Sequence, residues 1–353
     1  MIGLNKMISD IIKNKLYIDD ILKSISRHNL KKLFESKILI TGGCGLIGST
    51  IVDILVCLNK YYNANISIII ADLNKEIFES RFKCYEGIAF FEYNSIVGIK
   101  FQDKYDYIIC SAGIANPVFY VKKPVETMLS NVNGIQNILN EIVSSTVKKI
   151  MYISSSEVYG NIDGVDAYVE GKYGAINIDD IRSSYSIGKI ASEMLCKSYN
   201  IEYGVPVTIA RPGHVFGPTL NYNDTRISSD FALKAALGKD LVMKSKGEQK
   251  RSYVYSVDCA MALIIIMLNG ESGEVYNVSN KDSITIFEMA HILAGAGNVA
   301  LKIELPDDFD IRKFNPMKNS TLACSKLYSL GYINSFSAEE GLIHTVKIIK
   351  DLI

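Results

Sequence analysis

The amino-acid sequence predicts an α/β fold built on a doubly wound parallel sheet. Three observations carry that prediction: continuously apolar runs alternate with helical segments from Lys37 onward, a glycine-rich turn joins the first run to the first helix, and an acidic residue closes the second run. Strands that are apolar on both faces belong to a parallel sheet covered by helices on both sides.

The elements follow in order. "KILIT" reads as the first strand, with a helix starting at Leu46; "ISIIIAD", "YDYIICSAG", "KKIMYISSS" and "VPVTIARP" read as further strands, with helices after Pro124 and around Tyr185. After Gly213 the rhythm loosens, leaving a helix near Ser229 to Leu237 and a last one from Ala338. No Gly/Ser linker, low-complexity tract or internal repeat marks a boundary. The expected organisation is a helical extension over residues 1–36, a first domain over 37–212, and a smaller lobe over 213–353 interleaved with it. In the extension Ile8, Ile11, Ile12, Ile18, Ile21, Leu22 and Ile25 recur at helical spacing, which suits a strap packed on the domain or an oligomer contact.

Composition narrows the function classes. The 353 residues carry 38 Lys plus Arg against 38 Asp plus Glu, so no global field draws in nucleic acid or an anionic membrane. Any phosphate must be held locally. The seven cysteines (Cys44, Cys57, Cys84, Cys110, Cys196, Cys259, Cys324) have no zinc-type spacing and favour a reducing, cytoplasmic setting. His28, His214, His291 and His344 are isolated, and no metal is expected. Charges interrupt the N-terminus before any signal-like apolar core forms, and "MALIIIMLNG" is too short to cross a bilayer. A soluble protein with no membrane segment is expected.

"ILITGGCGLIGS" places Gly42, Gly45 and Gly48 between a strand and a helix. Glycines there allow a tight turn and a close backbone approach, so a pyrophosphate meets the unpaired amides of Leu46 and Ile47 at the helix N-terminus. The next strand ends in Asp72, 24 residues beyond Gly48, where a carboxylate accepts hydrogen bonds from an adenosine ribose and repels a ribose phosphate. That combination points to NAD in preference to NADP.

"SSYSIGKIASE" puts Tyr185 and Lys189 four apart on one helix face. Gly188 inside that helix costs roughly 1 kcal/mol relative to Ala, which is easier to understand where a ligand or another backbone comes close. One positive charge at about 4 Å and an effective dielectric of about 20 favours a phenolate by about 4 kcal/mol. Lys189, helped by a nicotinium ring, is therefore expected to draw the Tyr185 hydroxyl down from its usual pKa of about 10 toward neutrality, with desolvation opposing the shift. The stretch "SSSEVYG" adds Ser154, Ser155, Ser156 and Glu157 at the end of an apolar run, polar groups that need a polar partner.

The glycine turn, Asp72, the serines and the Tyr/Lys pair, in this order and spacing, resemble the extended short-chain dehydrogenase/reductase family from about Lys37 to the C-terminus. The resemblance implies a Rossmann-type fold with NAD bound by Gly42, Gly45, Leu46, Ile47, Gly48, Asp72, Ser111, Ala112, Tyr185 and Lys189. It further implies Tyr185 as catalytic base, Lys189 on the nicotinamide ribose and Ser155 on the reacting oxygen. Within the family the chain looks most like the nucleotide-sugar epimerase, dehydratase and decarboxylase group, and several segments resemble UDP-glucuronate decarboxylases. "SSSEVYG" carries their Ser-Glu pair as Ser156 and Glu157; "SAGIANPVFYVKKPVETM" follows their pattern through Ala112, Ala115, Pro117 and Tyr120; "RSSYSIGK" resembles their tyrosine segment from Arg182; "NDTRISSDF" and "QKRSYVYSVD" supply Arg226 and Arg251. By resemblance Ser156, Glu157 and Arg251 join the catalytic set, and Ala115, Tyr120, His214, Arg226 and Arg251 line the substrate, a UDP-sugar. The chain departs from those decarboxylases at His214, at Ser186-Ile187, at Asn94-Ser95 and in its first 36 residues.

The implied chemistry is hydride transfer from sugar C4, with Tyr185 taking the hydroxyl proton, to form a transient 4-ketone from which a C5 carboxylate leaves as carbon dioxide. The same ketone acidifies the C5 proton, so Glu157 equally suits a 4,6-dehydratase; a 4-epimerase is a further reading, and a reductase consuming NAD(P)H another. A cofactor-sensing scaffold would have no chemical need for Ser155, Tyr185 and Lys189 together. The resemblance also implies a homodimer through a helix pair including the Tyr185 helix, and a place in polysaccharide biosynthesis.

Overall fold

The computed structural model describes residues 11–98, 100–101, 103–143, 145–221, 224–305 and 319–353. Its centre is a seven-stranded, all-parallel sheet. Strands β1 (Lys37–Thr41), β2 (Ser67–Asp72), β3 (Ile88–Glu92), β4 (Tyr107–Cys110), β5 (Lys149–Ile153), β6 (Val207–Pro212) and β11 (Val275–Val278) lie in the order 3-2-1-4-5-6-11. Ile38, Leu39 and Ile40 of β1 pair with Ile68, Ile69 and Ile70 on one side and Tyr107, Ile108 and Ile109 on the other. These residues are buried, as expected where helices cover both faces.

Helices α2 (Leu46–Tyr62), α3 (Lys75–Arg81), α4 (Pro117–Lys122), α5 (Pro124–Ile142) and α6 (Ser184–Tyr203) fill the connections between these strands. α5 and α6 pack along one another. Gly188 sits in that seam, its nearest neighbours being Met128 Cα and Asn131 Cβ of α5. The backbone that approaches Gly188 is therefore that of the neighbouring helix.

The stretch "MALIIIMLNG" belongs to α8 (Ser256–Asn269), a helix buried through Met267 between the sheet and α2. A helix covered on every side carries no amphipathic stripe. Beyond β6 the chain adds α7 (Ile227–Ala236), α9 (Ile286–Gly297) and α10 (Ala338–Leu352), which pack together, and several short strands. Among these, β7 (His214–Phe216) pairs with β10 (Tyr253–Tyr255), and β9 (Lys250–Arg251) lies between β12 (Ile284–Thr285) and β14 (Asn319–Ser320).

The N-terminal residues 1–10, including Ile8, lie outside the described residues. From Ile11 the chain is a strap on the domain's own surface: α1 (Lys15–Ser26), capped by Asn14, which accepts the Tyr17 amide at 3.1 Å, buries Tyr17, Ile21 and Ile25 against α2, α8 and α10. Polar contacts fasten it. The Tyr17 hydroxyl donates to Asp53 Oδ2 at 2.7 Å, and Asp53 is ion-paired with Arg81. Asp20 accepts the Tyr255 hydroxyl at 2.9 Å and meets His344 Nδ1 at 3.0 Å. Among the described residues no helix is long and apolar enough to cross a membrane, and no group of three or more His, Cys, Asp or Glu side chains could hold a metal.

Candidate active site

In a doubly wound sheet the functional crevice opens at the carboxyl ends of the strands, where their order reverses, here between β1 and β4. Between β1 and α2, Gly42 takes φ +70°, a left-handed backbone that L side chains rarely adopt. A Cβ there would stand 2.7 Å from the Ala112 amide nitrogen, and one on Gly48 would collide with the Gly42 carbonyl oxygen. Those two glycines are demanded by the protein's own packing. Gly45 is different: it is the N-cap of α2, and a Cβ there would meet nothing nearer than 3.4 Å. Its bare face, with the unpartnered first-turn amides of Leu46 and Ile47, fits a pyrophosphate.

Asp72 closes β2 half-buried, one carboxylate oxygen accepting the Cys44 amide at 2.9 Å and the other the Asn74 amide at 2.9 Å. It braces the glycine turn while each oxygen keeps a second lone pair for a ribose hydroxyl. Ser111 and Ala112, just past β4, donate their amides to the Thr41 carbonyl at 3.1 Å and to Thr41 Oγ1 at 3.3 Å.

At the end of β5 the serines divide. Ser154 and Ser156 are buried, whereas half-buried Ser155 caps the turn Ser156–Tyr159 by accepting the Glu157 amide at 3.2 Å. Tyr185 and Lys189 project from α6, both buried. Lys189 Nζ donates to the Ile153 carbonyl at 2.7 Å and lies 6.0 Å from the centre of the Tyr185 ring. The protein's own groups do not, on balance, lower Tyr185. Burial, then the Glu157 charge, pushes its hydroxyl up to about 12, while hydrogen bonding to Ser155 and Tyr120 draws it back. Burial lowers Lys189 to about 8, with Glu193 first among the groups pulling it back up, so desolvation dominates at both groups.

This strand, turn, helix and Tyr/Lys arrangement lies within the span, residues 38–279, that matches the family model for the NAD dependent epimerase/dehydratase family. The chain belongs to that family. NAD is the cofactor the family is named for, and the open Gly45 turn with Asp72 beside it fits a dinucleotide. UDP-glucuronic acid decarboxylase 6 of Arabidopsis thaliana is 32% identical over 290 residues, 80% of this chain and 82% of that protein. UDP-glucuronic acid decarboxylase 1 of Xenopus tropicalis is 30% identical over 320 residues, 88% of this chain and 72% of that protein. Among solved structures, UDP-glucuronic acid 4-epimerase from Bacillus cereus, in complex with UDP-glucuronic acid and NAD, superposes with a TM-score of 0.74 at 22% identity, covering 90% of this chain and all of that one. UDP-N-acetylglucosamine 4-epimerase from Methanobrevibacter ruminantium gives 0.78 at 23%, covering 91% of this chain and 100% of that one. At these identities the structures establish the shared Rossmann-type fold.

The other side of the cleft of this epimerase/dehydratase family member is rich in arginine. Glu157 accepts from Arg182 Nη2 at 3.1 Å. Arg226, at the start of α7, is gripped by Asp224 through Nε at 2.8 Å and Nη2 at 2.5 Å. Arg251 is buried on β9, with Nη1 donating to the Lys250 carbonyl at 3.0 Å; Asp258 instead accepts the Ser335 and Phe336 amides. His214 Nε2 lies 3.3 Å from Ser320 Oγ, and burial followed by Arg251, Arg226 and Arg182 holds its imidazole down at about 3. It is a neutral ring under the influence of three guanidinium charges. Ala115 lies exposed ahead of α4, while Tyr120 is buried and stacked on Tyr185.

Two relationships were beyond sequence reasoning: the pairing of Arg182 with Glu157, and the stacking of Tyr120 on Tyr185. The only available signal for the first was an arginine three positions before the tyrosine, and nothing in the spacing names its partner.

Proposed function

We propose that the protein is an NAD-dependent nucleotide-sugar enzyme that works through a transient 4-keto sugar and decarboxylates UDP-glucuronate. The observation that carries this reading is that Ser155, at the end of β5, and Tyr185 with Lys189, on α6, lie beside the Glu157–Arg182 ion pair at 3.1 Å; the charges of Arg251, Arg226 and Arg182 also act on the nearby His214. A diphosphate and a sugar carboxylate present several negative charges, and guanidiniums suit them. The decarboxylases among the relatives support the same choice.

NAD, held by the glycine turn Gly42–Gly48 and Asp72, would supply a reversible hydride acceptor for sugar C4, with no net redox change. Tyr185 Oη, whose phenolate is favoured by the Lys189 charge and would be favoured further by the positive nicotinamide ring of bound NAD, receives the C4 hydroxyl proton, and Ser155 hydrogen-bonds the oxygen as it becomes a carbonyl. The bond from C5 to its carboxyl carbon then breaks, releasing carbon dioxide, and its electron pair passes into an enolate whose oxygen Tyr185 and Ser155 hold. Glu157 and Arg251 orient the sugar, and a solvent proton relayed by Glu157 closes C5; Tyr185 then gives its proton back to the C4 oxygen as the hydride returns, with Ser156 beside the departing group. Arg226 and His214 face the diphosphate, and Ala115 and Tyr120 line the sugar. Lys189 keeps its charge beside Tyr185.

We further read a homodimer through α5 and α6, whose outer faces expose Val125, Met128, Leu129, Ile190 and Met194, an apolar surface suited to a second copy. A sedimentation measurement giving a monomer at working concentration rejects it. All seven cysteines are free, which suits a reducing, cytoplasmic compartment.

Mass spectrometry of the nucleotide after incubation with NAD and UDP-glucuronate tests the reaction. Loss of carbon dioxide with no NADH accumulating is expected. Unchanged mass with inverted C4 identifies an epimerase, loss of water from a neutral sugar nucleotide a dehydratase, and steady NADH or NAD formation a reductase.

A further inference from the structure

Glu157 and Arg182 face each other at 3.1 Å, their side chains 26% and 36% exposed. They come from different elements. Glu157 sits in the turn after β5, two residues beyond Ser155, and Arg182 in the turn Ile181–Ser183 that leads into α6, three residues before Tyr185. Asp180 steadies that second turn by accepting the Arg182 amide at 2.9 Å. The guanidinium also lies over the Tyr120 ring, 5.9 Å from its centre, and that ring stacks on Tyr185. Arg182 is thus held at the catalytic end of the cleft.

The other two arginines are placed differently. Arg226 is engaged by Asp224, and Arg251 is buried with Nη1 on the Lys250 carbonyl. Among the described residues Arg182 is the arginine that is ion-paired with Glu157, a carboxylate of the catalytic set. A partly exposed ion pair of this kind contributes little and exchanges readily, whereas a planar guanidinium accepts any carboxylate in the same fork geometry.

We propose that Arg182 is the specificity-determining residue for an acidic sugar, with Glu157 as its placeholder: the carboxylate of the incoming sugar nucleotide displaces the Glu157 carboxylate from the Arg182 guanidinium. This rests on the reading of the substrate as an acidic sugar nucleotide. A neutral sugar has no group to make the exchange, so Glu157 stays held. An acidic sugar frees Glu157 at the moment its carboxylate is needed near C5.

The test is calorimetric titration of the full-length, NAD-loaded protein with UDP-glucuronate and with UDP-glucose. Glu157→Gln removes the competitor and is expected to bind UDP-glucuronate about fivefold tighter, with UDP-glucose unchanged. Arg182→Gln is expected to lose about tenfold or more of its affinity for UDP-glucuronate and little for UDP-glucose. Arg182→Lys keeps the charge without the fork and recovers part of that loss; with Glu157→Gln it carries the test if Arg182→Gln does not fold. A Glu157→Gln protein that binds UDP-glucuronate more weakly, or binds both nucleotides equally altered, overturns the displacement while the proposed function stands. Wild-type protein binding the two nucleotides equally well overturns the acidic-sugar reading, and the displacement with it.

Discussion

Tyr120 and Tyr185 lie face to face, ring centres 4.3 Å apart and planes 5° from parallel. Burial, reinforced by the neighbouring Tyr185, pushes the Tyr120 hydroxyl far up, so it keeps its proton, and its polar interaction with Tyr185 draws the Tyr185 hydroxyl down. Tyr120→Phe preserves the ring and removes the hydroxyl. We expect kcat on UDP-glucuronate about fivefold lower at neutral pH, the worth of one hydrogen bond, with thermal stability nearly unchanged. Tyr120→Ala empties a buried aromatic site, and about 3–5 kcal/mol of stability should be lost. A Tyr120→Phe protein with raised KM and normal kcat would instead make Tyr120 a contact to bound substrate only.

Lys189 supplies a pH dependence. Burial lowers its pKa from 10.5 to about 8, so its charge beside Tyr185 is present below about pH 8 and lost as pH rises through it. The kcat/KM profile should therefore fall on its alkaline side from about pH 8. For stability the sign is opposite: between the folded and unfolded values the unfolded chain binds the extra proton, so stability rises with pH across that window. A profile still flat two units above neutrality would remove Lys189 from the chemistry.

Much of this was legible in the sequence because it depends on local pattern. The β1 strand, the glycine turn and α2 follow from continuous apolarity broken by Gly42, Gly45 and Gly48, and Asp72 falls at a strand end because β2 is apolar up to it. The half-exposed β3 has too weak a pattern, and α8 is apolar around its circumference, so neither declares its type. The site was legible as a set of residues and illegible as electrostatics. Tyr185 and Lys189 share a helix face, but whether attraction or desolvation prevails depends on how deeply α6 packs on α5, a tertiary quantity. The pair formed by Glu157 and Arg182 joins positions separated by a long loop, which spacing does not reveal.

Gly188 offers a gain in stability. A Cβ there would meet Met128 Cα and Asn131 Cβ at 3.5 Å, ordinary van der Waals contact, and its backbone is helical. Gly188→Ala should stabilise the protein by up to about 1 kcal/mol, raising the melting temperature by roughly one to three degrees with activity retained. A lowered melting temperature would show that the seam between α5 and α6 has no room, and would return Gly188 to the role of a close-approach residue.

The strap bears on the cofactor end of the site through one buried cluster. Asp53 lies on α2, the helix the glycine turn opens, and Arg81 ends α3, which follows Asp72; Tyr17 of α1 donates to Asp53 at 2.7 Å, and Arg81 pairs with it. Burial raises the Asp53 pKa while Arg81 and Tyr17 pull it down. Loss of either partner therefore leaves a less compensated buried charge. Tyr17→Phe is expected to lower stability by about 1–3 kcal/mol and Arg81→Leu by about 3–5 kcal/mol, measured by urea denaturation. Asp53→Leu combined with Arg81→Leu should be less damaging than Arg81→Leu alone, because it removes the stranded carboxylate. Since α2 and α3 also hold the glycine turn and Asp72 in register, NAD titration of the folded Tyr17→Phe protein should show a raised Kd. An unchanged Kd with reduced stability would confine the strap to a structural role.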